Sequence, residues 1–160
     1  DFEREKEQVR VNIDAVHHLT GALLPPMLDR DEGAILNVAS TAAFQPIPFQ
    51  ATYAATKAFV LSFSEAVHTD LHGTGVSCTA LCPGPTRTEF TDVAGMQGFE
   101  GTPSFVWQTA SDVARDGIAG MLAGRRTVVP GLANKASANA GRYTPRSVLL
   151  PIMRATWGRA

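Results

Sequence analysis

Cysteine is scarce in this chain: Cys78 and Cys82 are the two present in 160 residues. They fall four apart on one extended run and therefore share a face, and a disulfide between them would require the strand to fold back on itself. Packing is the expected role. No metal-binding spacing surrounds them. His68 and His72 lie four apart near a helix end without a third ligand beside them, which points to surface or helix-end positions and to no metal site. Excess charge is lacking too, since 14 Lys and Arg face 15 Asp and Glu for a net charge of −1, and nothing global argues for a nucleic-acid partner. No apolar run approaches the roughly 20 residues of a membrane span, and no signal-peptide pattern is present, so a cytoplasmic protein is expected. Repeats and low-complexity tracts are missing. What remains is a chain 44% apolar, with material for one core and one domain over residues 1–160.

The informative stretch runs from Ser40 to Lys57. GAILNVAS carries a short apolar run, 34–39, that ends at Ser40, the pattern of a buried parallel strand delivering a hydroxyl at its C-terminal end. Tyr53 and Lys57 follow in a segment, Gln50 to Leu71, of helical composition, and residues four apart share a helix face. A phenol and an ammonium then occupy one small volume. An ordinary tyrosine has a pKa of about 10, and a nearby cation lowers an acid's pKa by roughly 1 to 3 pH units, which would make Tyr53 a proton donor and acceptor near neutrality. Downstream, residues 76–82 read as a second strand, followed by the breaker-rich loop Pro83, Gly84, Pro85, Thr86 and Thr88. A third strand is expected at 126–130 and a helix from Ser111 to Leu122.

Taken together, N-V-A-S at 37–40, Y-A-A-T-K at 53–57, P-G-P-T-R-T at 83–88 and Asn12 within Val11-Asn12-Ile13 resemble the short-chain dehydrogenase/reductase family of the short, single-domain type, over most of the chain from Val9 to about Pro130. The resemblance implies an α/β fold, a partial Rossmann-like doubly wound parallel sheet with helices on both faces. It implies NAD(P)-dependent oxidation or reduction of a carbonyl or secondary alcohol, with Asn12, Ser40, Tyr53 and Lys57 as catalytic residues. Tyr53, Lys57, Pro83, Gly84, Thr86 and Thr88 would contact the cofactor. Tyr53 would pass a proton to the carbonyl oxygen, Ser40 would hold that oxygen, Lys57 would hold the cofactor ribose, and Asn12 would anchor a water beside Lys57.

Against the same family, a segment is missing. The chain opens on an amphipathic helix with Val9, Ile13, Val16 and Leu23 on one stripe, and it contains no T-G-x-x-x-G-x-G and no N-N-A-G, the glycine-rich turn that takes the cofactor pyrophosphate. The chain therefore reads as the C-terminal part of a reductase, incomplete without an N-terminal half. The strand ending at Ser40 would be left with an open edge, covered by that half or by another copy in a homo-oligomer. NAD cannot be told from NADP, because the discriminating residue would sit in the absent half.

Residues 88–111, with Phe90, Met96, Phe99, Phe105 and Trp107, read as a substrate lid that suits an apolar or acyl-type substrate. Residues 131–160 read as a basic tail. All 15 acids lie at or before Asp116, while Arg125, Arg126, Lys135, Arg142, Arg146, Arg154 and Arg159 lie after it. Docking on the acidic part of its own or a neighbouring subunit is the favoured role for this tail, with an acidic carrier protein, a phosphorylated substrate or a membrane surface, met by Leu149, Leu150, Ile152, Met153 and Trp157, as alternatives. Two other functions stay open: epimerase or dehydratase chemistry with the same Tyr–Lys pair, and a catalytically silent fragment serving assembly.

Overall fold

The computed structural model describes residues 1–87 and 103–157. Helix α1 (Phe2–Val9) is capped by Asp1, whose carboxylate accepts from the Glu3 amide. It runs through a π-helical turn, Arg10–Asp14, into α2 (Ala15–Asp29). Strand β1 (Gly33–Val38) follows, then a 3-10 turn at Thr41–Phe44 and the long helix α3 (Ala51–Asp70). Strand β2 (Val76–Leu81) precedes two short strands, β3 (Thr86–Arg87) and β4 (Gln108–Thr109), and then α4 (Ala110–Leu122) and β5 (Thr127–Val128). Two helices close the chain, α5 (Leu132–Tyr143) and α6 (Arg146–Trp157).

Strands β1, β2 and β5 form a parallel sheet in that order, with Gly33 opposite Val76 and Val38 opposite Leu81. Parallel strands buried on both faces need apolar residues of both parities, and β2 supplies them. On one face Ile35 and Cys78 pack with Leu71 and Val76 under α2 and α3. On the other, Leu81 and Val128 pack with Val113 of α4. Helices therefore cover both faces, as the resemblance implies. Among the described residues β1 is an edge strand, and Val38 is half-exposed.

One expectation changes. Leu23 is 49% exposed, and Thr20 is buried in its stead, with Leu24 and Met27 packed toward Ile35. At about 100° per residue Leu23 stands some 60° round the helix from Thr20, which puts it on the rim of the buried face. His68 stands in the last turn of α3, the helix-end position expected, and is half-buried there, with its Nδ1 donating to the Cys78 carbonyl at 2.9 Å and tying α3 to β2.

The basic C-terminal segment is built into the fold. Arg126 and Arg142 reach Glu65 of α3 at 3.3 and 3.7 Å, and Thr127 donates to the same carboxylate at 3.0 Å. Ala138 of α5 enters the core cluster of Val60, Leu61 and Cys82.

Both cysteines are free and fully buried. Burial pushes Cys78 from 9.0 up to about 11 and, with the Glu65 charge adding to it, Cys82 up to about 12. An acid whose folded pKa is raised keeps its proton in the folded state after the unfolded chain has lost it. Stability is therefore whole below pH 9 and falls above it by about 1.4 kcal/mol per pH unit for each thiol. Urea unfolding at about pH 8 and pH 10 should show this loss, and Cys82→Ala should make the alkaline decline shallower.

Candidate active site

Beyond β1 the backbone stays extended. The Ala39 amide donates to Leu81 at 2.7 Å and the Thr41 amide to Pro83 at 2.8 Å, so the two strands continue to hold each other past the sheet's end. Ser40 between them has φ −172° and ψ 162°. Its hydroxyl caps the next turn by accepting from the Ala42 amide at 3.1 Å and stands close enough to the Tyr53 phenol to lower its pKa. Capping and contact with the phenol coexist in one side chain.

Tyr53 and Lys57 stand one turn apart on α3, near its N-terminal end. The Lys57 ammonium lies 5.9 Å from the Tyr53 ring centroid and donates to the Val38 carbonyl at 3.0 Å, at the tip of β1. One of its three protons is used there, and among the described residues the other two stay available to a ligand. Asn12 lies in the π-helical turn, where the Ala15 amide reaches back five residues to Arg10. Its Nδ2 donates to Thr56 Oγ1 at 3.0 Å, and Thr56 in turn donates to the Tyr53 carbonyl at 2.8 Å. The four residues expected to be catalytic therefore converge, with Asn12 joined through Thr56. Thr56 itself was not singled out from sequence, although its place inside Y-A-A-T-K made it findable.

The electrostatics differ from expectation. Burial pushes the Tyr53 phenol above its ordinary value, and only the Ser40 hydroxyl pulls it down. Lys57 is itself lowered by burial, with Cys82 opposing. Leu149 and Met153 of α6 are the cause that sequence could not place: with Ala42, Ile47 and Ala54 they form an apolar cluster against Tyr53. Desolvation outweighs a cation that stands beside the ring and spends a proton on Val38.

The Pro83–Thr86 loop lies at the C-terminal end of β2, with Thr86 Oγ1 donating to the Gly84 carbonyl at 2.9 Å. Thr88 and residues 88–102 of the expected lid lie outside the described residues. Its last part is described: Ser104–Val106 is a 3-10 turn, Phe105 is 75% exposed, and β4 pairs with β3. Among the described residues no cluster of three metal-ligating side chains occurs.

The family model for short chain dehydrogenase matches residues 1–98. A 2-keto-3-deoxy-L-fuconate dehydrogenase of Xanthomonas campestris is 35% identical over 103 residues, covering 64% of this chain and 34% of that protein. The NADP-dependent 3-hydroxy acid dehydrogenase of Escherichia coli K12 is 43% identical over 86 residues, 53% of this chain and 35% of that protein. The chain thus matches about a third of the length of these curated relatives. Among solved structures, a 7β-hydroxysteroid dehydrogenase superposes with a TM-score of 0.81 at 22% identity over 96% of this chain and 60% of that one, which speaks to the fold. A short-chain dehydrogenase from Sphingobium yanoikuyae in complex with NADPH gives 0.70 at 28% identity, over 89% of this chain and 54% of that one. With the family model matching more than half its length, this chain belongs to the short-chain dehydrogenase family.

Proposed function

We propose that the protein, in its full-length form, is an NAD(P)-dependent oxidoreductase that interconverts a carbonyl and a secondary alcohol. The convergence of Ser40, Tyr53 and Lys57 beside the Pro83–Thr86 loop carries this reading. The donor set suits a nicotinamide nucleotide: among the described residues Lys57 keeps two donors for ribose hydroxyls, and the loop presents backbone groups at the C-terminal end of a parallel strand, where nucleotides bind in open α/β sheets. The nicotinamide, when bound, supplies or accepts the hydride.

In reduction, negative charge develops on the carbonyl oxygen. The Tyr53 hydroxyl donates its proton to that oxygen, and Ser40 hydrogen-bonds the same atom and holds it in line. Asn12, through the Thr56 hydroxyl, holds the backbone at Tyr53. Leu149, Met153 and Ile47 form an apolar wall beside the phenol, which favours an apolar or acyl-type substrate. Relatives act on substrates as different as a 2-keto-3-deoxy sugar acid and sulfoacetaldehyde.

A phenol raised by burial keeps its proton at neutral pH and above. Carbonyl reduction should therefore hold its rate from about pH 6 to pH 9, whereas alcohol oxidation, which needs the phenolate, should climb through that range. Oxidation of NADH and NADPH by a panel of carbonyls, and reduction of the oxidised nucleotides by the corresponding alcohols, followed across pH with the full-length protein, tests both the activity and this asymmetry. Absence of nucleotide binding by that protein would remove the proposal.

A further inference from the structure

Asn134, in the first turn of α5, is 3% exposed. A buried primary amide is costly unless its donors are met, and here they are. Nδ2 donates to the Val106 carbonyl at 3.2 Å and to Gln108 Oε1 at 3.3 Å. The same carboxamide occupies the space above Gly84, where a Cβ would lie 2.2 Å from Asn134 Oδ1 and 2.3 Å from its Cγ. Gly84 is bare to admit Asn134. Gln108 completes the junction, because its backbone N–H donates to the Pro85 carbonyl at 3.1 Å and it sits opposite Thr86 in the β3–β4 pair. One side chain thus meets the loop after β2, the strand β4 and the start of α5, and none of the proton-transfer chemistry uses it.

We propose that Asn134 is a positioning residue for nucleotide binding: its carboxamide, acting with Gln108, holds the Pro83–Thr86 loop in the conformation that meets the nicotinamide nucleotide. The inference rests on the reading of that loop as nucleotide-binding. A glycine-containing loop released from such a clamp regains conformational freedom, and ordering it again is then charged against ligand affinity.

The test uses the full-length protein with NADH and NADPH as probes. Asn134→Ala should weaken nucleotide affinity by calorimetry about tenfold, the effect of losing a buried hydrogen-bonded clamp, and raise nucleotide KM while kcat changes by less than about threefold. Asn134→Asp keeps the shape and removes the donors, so it should not restore affinity. Gln108→Ala, at a half-exposed site, should show the same pattern more weakly and covers the case in which an Asn134 variant fails to fold. The double variant should be no worse than Asn134→Ala alone, since the two act as a unit. A lowered melting temperature with unchanged nucleotide affinity in all three single variants would overturn the proposal and leave the oxidoreductase reading intact. A parent protein that binds neither nucleotide would overturn both.

Discussion

Tyr53→Phe is expected to lower kcat for carbonyl reduction by about 10²- to 10⁴-fold, the range a positioned general acid contributes, while nucleotide affinity stays within about twofold. The two effects separate because the substitution removes one oxygen and little else. The ring keeps its contacts with Ala42, Ile47, Ala54, Leu149 and Met153, Lys57 keeps its hold on the Val38 carbonyl, Asn12 keeps its bond to the Thr56 hydroxyl, and Thr56 its bond to the Tyr53 carbonyl. Ser40 loses the phenol as a neighbour but retains the Ala42 amide. Single-turnover hydride transfer from bound NADPH in the full-length protein measures the step directly. A loss smaller than about tenfold would take the proton transfer away from Tyr53, since a general acid is worth more than that.

The second large effect concerns the frame that carries the site. Gly75 precedes β2, and a Cβ there would fall 1.8 Å from the Asp31 carbonyl oxygen and 2.8 Å from its carbon. These are backbone atoms, and they cannot swing aside as a side chain does. The Gly75 amide also donates to the Asp31 carboxylate at 2.6 Å, and Asp31 is itself held at φ 50°. The turn after α2 and the start of β2 are thereby locked together where Gly33 and Val76 open the parallel register. Gly75→Ala should lower the unfolding free energy by about 3 kcal/mol or more, at the upper end of the overpacking range, read from urea transitions. Because the register set at Gly33 runs on to Ser40, activity in the surviving folded fraction should fall as well. A change below about 1 kcal/mol would show that this turn shifts freely.

Much of this site was legible because it is written in short spacings. An apolar run ending at Ser40 and a tyrosine one helical turn before a lysine follow from local geometry, and the strands at 33–38 and 76–81 lie within a residue of where the apolar runs place them. Burial is not local, and the reading failed where burial decides. Tyr53 is desolvated by Leu149 and Met153, which arrive from the other end of the chain, so a phenol expected to be acidified is made less acidic. Gly84, expected to contact the cofactor, also lies against Asn134, a neighbour that local spacing could not reveal. Residues 131–160 drew attention by charge, yet Leu149 and Met153, four apart, already marked the inward face of α6.

The π-helical turn at Arg10–Asp14 has a consequence for chain length. Such a turn spends one residue more than an α-helical turn. Deleting a single residue there would let an ordinary helix close and would swing Phe2–Val9 round by about 100°, parting Glu5 from the Thr52 hydroxyl it now meets at 2.6 Å. A homologue or redesign that differs here by one indel must therefore rebuild the whole leading helix, even if every remaining letter is kept.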